Sequence, residues 1–91
     1  MPFTLSITEA RGRTYAAARM LAGLDQADLA TLSDLSPATI SNVERGKESR
    51  SETLKAIRKS LHREGVLVGF SGKNGLATVT ISFAAEDDED E

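Results

Sequence analysis

Thr39, Ser41 and Asn42 sit within one short polar stretch behind Pro37 and Ala38, and Arg45, Lys47 and Arg50 follow directly. The first group carries small hydrogen-bonding side chains; the second carries fixed positive charge. A carboxamide such as that of Asn42 can donate and accept in one plane, the pairing that adenine offers through N6 and N7 in a major groove. A hydroxyl at Thr39 or Ser41 can bond a base edge, and the threonine methyl can touch a thymine methyl. Pro37 and Ala38 offer apolar contact only. Cations just beyond such a group suit phosphates, each neutralised phosphate steepening the salt dependence of binding by about 0.9. The competing reading is a soluble helix face followed by a solvated basic loop. So small a set of readers implies that backbone contacts, DNA shape or the spacing of two copies would carry much of any specificity.

These residues need elements to hold them. Asp25 to Gly46 reads as helix, turn, helix. Asp25 is a good N-cap and Asp28 lies in the first turn, near the positive end of the helix dipole. Leu29, Ala30 and Leu32 recur at helical spacing, and Ser33-Asp34-Leu35 is the break. Ser36 caps the second helix and Pro37 takes its first position, where a missing N–H costs nothing. Ile40 and Val43 face inward. Gly46 provides a left-handed stop. Two short helices with a turn of three or four residues form a helix-turn-helix. Gln26 opens the first of them, so its side chain and backbone N–H could meet a phosphate.

This stretch resembles the helix-turn-helix of the phage repressor and Cro family, also called the XRE family. The resemblance rests on Gln26, Ala30, Asp34-Leu35, Ser36, Ile40 and Glu44-Arg45-Gly46-Lys47, and it covers roughly residues 11–65. One departure is Asp34, where the family usually has glycine; Asp tolerates the left-handed conformation better than most residues. The resemblance implies a mainly α fold, a lambda-repressor-like bundle of four or five helices. It also implies a structural ion pair between Arg19 and Glu44. The function implied is that of a transcriptional regulator, a repressor by expectation, whose third helix (about 37–45) enters the major groove of an operator. A homodimer on an inverted repeat is expected, in the cytoplasm of a prokaryote, at its nucleoid, or encoded by a phage. No cofactor or metal is expected.

The flanks complete the organisation. Residues 1–5 read as an N-terminal arm and 6–65 as the DNA-binding domain. Ser6 and Glu9 have capping-box spacing, with Thr8 a competing cap. The first helix runs to Ala22 and stops at Gly23. Ala17, Ala18, Leu21 and Leu24 are expected inward and Tyr15 at the edge, while Gly12 weakens the helix by about 1 kcal/mol relative to alanine. Arg11 and Arg13 could add phosphate contacts or simply be solvated. Ser51 is expected to cap a fourth helix from Glu52 to about Arg63, with Leu54, Ile57 and Leu61 inward and Arg58 at the edge. Lys55, Lys59 and Arg63 read as its solvated face.

Residues 66–83 change character. Val66 to Phe70 is strand-like, 71–75 is turn chemistry, and Ala77, Val79, Ile81 and Phe83 alternate with threonines and serine. A hairpin alone is marginal in water. It must pack on the helices or pair with another chain, making Val66, Val68, Phe70, Val79, Ile81 and Phe83 dimerisation candidates. Residues 84–91 read as a disordered acidic tail, either solubilising or lying on the basic binding surface. Residues 66–91 could alternatively engage a partner protein, as in an antitoxin or antirepressor-like module.

Composition is consistent with this. The chain of 91 residues allows one domain with a modest core. Its net charge of −3 is uneven: residues 1–65 sum to +2 and residues 66–91 to −5. Cysteine is absent, which fits a reducing compartment, and no apolar run reaches the roughly 18 residues of a membrane span. An enzyme is not expected. His62 is the sole histidine, and Gly72-Lys73-Asn74 lacks the flanking residues of a phosphate loop.

Overall fold

Local side-chain hydrogen bonds set where the first three helices begin. In a computed structural model describing residues 4–47, 50–73 and 75–86, α1 spans Ile7–Leu21. Ser6, not Thr8, caps it: the Ser6 hydroxyl accepts the Glu9 N–H at 3.0 Å, and the Glu9 carboxylate accepts the Ser6 N–H at 3.3 Å. Helix α2 (Gln26–Ser33) repeats the device with Asp25 and Asp28, at 2.7 and 3.0 Å. Helix α3 (Pro37–Glu44) begins behind Ser36, whose hydroxyl accepts the Thr39 N–H at 3.1 Å. Helix α4 (Ser51–Arg63) departs from expectation. Ser51 is already helical, so extended Arg50 holds the cap position, and no side-chain hydrogen bond caps that end. Residues 4–5 of the expected arm are irregular; residues 1–3, and 87–91 of the acidic tail, lie outside the described residues.

The turn between α2 and α3 depends on one left-handed residue. Asp34 has φ 59° and ψ 42°, and the next N–H, that of Leu35, reaches back to the Ala30 carbonyl at 2.9 Å. That bond closes α2 in the six-to-one pattern and turns Leu35 toward the core. Asp34→Gly should therefore stabilise the fold by about 0.5–1 kcal/mol, since the left-handed region is unfavourable for a residue with a Cβ. Urea denaturation checks this; an unchanged or lowered midpoint refutes it. Gly46 ends α3 with φ 75° and lets the Lys47 N–H bond the Asn42 carbonyl at 2.8 Å. A side chain there would also approach the Glu9 Cα to 3.2 Å.

Apolar residues from all four helices meet in one core. Ala18, Leu29, Ala30, Ile40, Val43, Leu54, Ile57, Leu61 and Val66 are buried around Tyr15, itself only 1% exposed. Tyr15 thus sits in the core and not at its edge. That rotates the inward face of α1 away from the expected one. Positions two apart on a helix differ by about 200°, so Ala17 points away from the side that Tyr15 faces; Leu21 is also exposed, while Ala18 is buried and Leu24 packs partly against the core. Leu32 is also exposed. Arg58 lies at the edge as expected, its Nη1 donating to the Tyr15 hydroxyl at 3.2 Å.

The hairpin is longer than the turn-like composition of 71–75 suggested. Strand β1 (Val66–Lys73) pairs antiparallel with β2 (Leu76–Phe83), and Lys73 faces Leu76, so only positions 74 and 75 connect them. Gly75, just ahead of β2, has φ 79°, a conformation that glycine adopts freely. Ser71, Gly72 and Lys73 become strand because Thr78, Ala77 and Leu76 continue the register opposite them. Directly paired residues share a face. Val66, Val68, Phe70 and Gly72 therefore lie with Phe83, Ile81, Val79 and Ala77. The base of this apolar face packs on the helices through Val66, Val68 and Ile81. Farther out, the Phe70 ring meets Tyr15 edge-on at 5.8 Å; Phe70 and Val79 there, and Phe83 opposite Val66 at the base, remain exposed.

Candidate nucleic-acid interface

Burial of Ile40 and Val43 decides which side of α3 reaches solvent. Pro37 and Ala38 are exposed, while Thr39, Ser41 and Asn42 are half-buried. Thr39 shares a hydrogen bond with the Ser36 hydroxyl at 2.9 Å, so its Oγ1 takes part in the helix start. Asn42 accepts from Arg45 Nη2 at 3.2 Å through its amide oxygen, which leaves the amide NH2 as its uncommitted donor. Arg45 and Lys47 are exposed beyond the C-terminal end of α3, and Arg50 is exposed just ahead of α4. The structure therefore gathers one small polar face with cations at one end.

The orientation of that face is set from behind by Glu44. Arg19 Nε donates to Glu44 Oε2 at 2.7 Å and Arg19 Nη2 to Glu44 Oε1 at 3.1 Å, a bidentate pair with side chains 15% and 7% exposed. Arg19 Nη1 also donates to the Leu24 carbonyl at 2.9 Å. The Glu44 hydrogen bonds, aided by the charges of Glu44 and Asp25 and opposed by burial, hold the Arg19 guanidinium above the ordinary arginine pKa. Gln26 joins the cluster, its Nε2 donating to Glu44 Oε1 at 2.9 Å. One carboxylate thus ties α1, α2 and α3 together. The Gln26 side-chain nitrogen is committed to Glu44, so what it retains for an anion is chiefly its backbone N–H at the first position of α2.

Arg11 and Arg13 are placed differently. The Arg11 guanidinium carbon lies 5.8 Å from the Phe70 ring centroid, a cation–π distance. It lines a groove with Tyr15, Ser51 and Arg58, between α1, α4 and β1. Arg13 is exposed on α1.

Sequence reasoning missed the role of Gly12. A Cβ there would lie 2.5 Å from the Val43 carbonyl oxygen and 2.7 Å from that of Glu44. The C-terminal end of α3 is docked against the bare backbone of α1. The available signal was a glycine inside a helix with no capping duty.

Among the described residues no group of three or more His, Cys, Asp or Glu could hold a metal ion, and no helix is long and apolar enough to cross a membrane. A family model described as Helix-turn-helix matches residues 16–64. The clp gene regulator ClgR from Corynebacterium glutamicum has a similar structure, with TM-score 0.60 and 34% identity over 67% of this chain and 78% of that one. A second structure of the same regulator gives TM-score 0.59 and 34% identity, covering 67% of this chain and 65% of the other. No curated protein matches significantly.

Proposed function

The chain belongs to the XRE-type helix-turn-helix family, and from that premise we propose that it is a sequence-specific regulator of transcription that binds double-stranded DNA. It acts as a repressor, occupying an operator with α3 in the major groove. The observation that carries this reading is the fixed outward face of α3. Ile40, Val43 and Glu44 lock the helix from behind, while Pro37, Ala38, Ser41 and Asn42 are left accessible ahead of Arg45 and Lys47. Asn42 and Ser41 read bases, with apolar contacts from Pro37 and Ala38 and a secondary part for Thr39. Gln26, Arg45, Lys47 and Arg50 hold phosphates, with Arg11 and Arg13 as outlying contributors. This activity belongs in the cytoplasm of a prokaryote or of a phage-infected cell.

Two copies on a two-fold axis would read an inverted repeat with half-sites about 34–36 Å apart. A gel shift and footprint on DNA upstream of its own gene test the proposal. A folded protein that forms no sequence-selective complex at low salt overturns it. Within a footprinted site, Asn42→Ala should cost about 1–3 kcal/mol of binding and relax preference at a single base pair. Lys47→Ala should instead weaken all sequences alike and lower the salt slope by about 0.9. Titration of single-base operator variants separates the two, and equal losses at every position for Asn42→Ala would remove it from the readers.

One observation also supports a protein contact through the hairpin. Phe70, Val79 and Phe83 share its apolar face and stay exposed, with Phe83 at 60%. The regulator reading assigns this surface to a second copy of the chain. An antitoxin-like or antirepressor-like module would give it to a different protein, with the helix-turn-helix secondary. Sedimentation of the purified chain discriminates. A dimer at micromolar concentration supports the first; a monomer that co-purifies with a stoichiometric partner supports the second.

A further inference from the structure

Helix α4 carries Lys55, Lys59 and Arg63 four positions apart. Like charges at that spacing repel by a few tenths of a kcal/mol per pair. Arg63 leans toward α2, its Nη2 donating at 3.5 Å to the Leu32 carbonyl. Among the described residues neither Lys55 nor Lys59 pairs with a carboxylate; Arg19 and Glu44 form the ion pair found there. Lys55 and Lys59 line a groove between α4 and β1 with Arg58, His62 and Leu67. A second groove, from Ala84 past Gly65, shares His62 and Leu67 with the first, so the two adjoin. Ala84 itself is pinned to the end of α4, its N–H donating to the Gly65 carbonyl at 2.9 Å. The six consecutive acids Glu86 to Glu91 begin two residues later.

We propose that this acidic run turns back along the α4–β1 groove and pairs with Lys55 and Lys59. The reach is ample. Lys55 and His62 are seven positions apart at about 1.5 Å of helical rise each, roughly 10 Å. An extended chain covers that in three or four residues at about 3.3–3.6 Å apiece. The charges are complementary, and the groove begins where the acids leave the fold. Arg45 and Lys47, beside the reading face, line neither groove. The run therefore neutralises a basic surface that would otherwise attract nucleic acid without selectivity, while leaving α3 open. Only that consequence rests on the DNA-binding reading; the contact itself is independent of it.

The contact is tested on the full chain without DNA, by two-dimensional NMR. The comparison is a variant with all six acids converted to their amides (Glu86→Gln, Asp87→Asn, Asp88→Asn, Glu89→Gln, Asp90→Asn, Glu91→Gln). At low salt the amide shifts should differ at Lys55, Lys59, His62 and Leu67, and the difference should collapse near 1 M salt, where screening acts within about 3 Å. In a Lys55→Gln/Lys59→Gln chain the same tail substitutions should leave α4 unmoved. Both lysines are exposed, so the fold tolerates their change. Unchanged α4 shifts, shifts centred on Asn42, Arg45 and Lys47, or shifts that vanish on dilution would each overturn the proposal, the last by assigning the contact to a second molecule. On random-sequence DNA the amide variant should show a salt slope steeper by up to about 0.9 for each lysine freed. Absence of any DNA binding would count against the regulator reading and leave the NMR result standing.

Discussion

Arg19→Ala should lower the stability of the fold by about 3–5 kcal/mol, because it strands a carboxylate that folding has taken out of water. Glu44 is 7% exposed and accepts two hydrogen bonds from Arg19. Without them only the Gln26 amide at 2.9 Å remains to it, and the Leu24 carbonyl loses its donor as well. For a domain of this size each kcal/mol is worth about 4–8 °C in Tm, so the variant should melt at least about 12 °C lower. The comparison with Arg19→Leu/Glu44→Leu is decisive. If the single loss reflects a stranded charge, the apolar pair should recover most of it. If the double variant is as unstable as Arg19→Ala, the pair contributes through its own attraction. The raised Arg19 pKa sets the sign of any pH dependence. A group whose folded pKa is raised contributes stability that is present below its ordinary value and lost only as pH rises past it. For arginine that lies far above neutrality, so this contribution should stay constant through the neutral range.

Gly12→Ala reverses the expectation from helix propensity. Propensity alone predicts about 1 kcal/mol of stabilisation for alanine inside a helix. The added Cβ would stand 2.5 and 2.7 Å from two backbone carbonyl oxygens. Backbone at the end of a packed helix cannot rotate aside as a side chain can, so α3 must shift. Overpacking of this kind costs about 1–3 kcal/mol, which cancels or outweighs the propensity gain. Thermal melting decides between the two signs. A rise in Tm would show that the α1–α3 contact yields easily. A fall, with weaker DNA binding in an otherwise folded protein, would show that the same contact positions the proposed reading face. Gly12 meets Glu44 through its carbonyl and Arg19 meets it through its carboxylate, so the two substitutions should not be additive.

The residues that sequence placed well are those whose reasons are local. Ser6 with Glu9, Asp25 with Asp28, and Ser36 with Thr39 are partners three positions apart, and such spacing fixes a helix start whatever surrounds it. Asp34 and Gly46 marked turns because few residues tolerate the left-handed region. Ser51 failed by one position, since a cap depends on which residue is last to stay extended. The hairpin is recognisable from its alternation, yet composition alone suggests too long a turn, because 71–73 have turn-like residues and their pairing lies across the loop.

The remainder came from contacts between distant positions. The Tyr15 hydroxyl meets Arg58, 43 residues on; Gln26 meets Glu44, 18 residues on; Gly12 meets the carbonyls of Val43 and Glu44. Burial is a property of the whole packing arrangement, so a Tyr15 suited to an edge could sit at the centre. By itself, then, the sequence determined that Asp25 to Gly46 is two capped helices around a left-handed turn, because those signals are short-range. Only the tertiary structure decided that α3 rests on the bare backbone at Gly12, that Gln26 faces Glu44, and that Arg11 lies over Phe70. In each case groups from two different elements meet across the packing, and periodicity along one helix does not say what stands opposite.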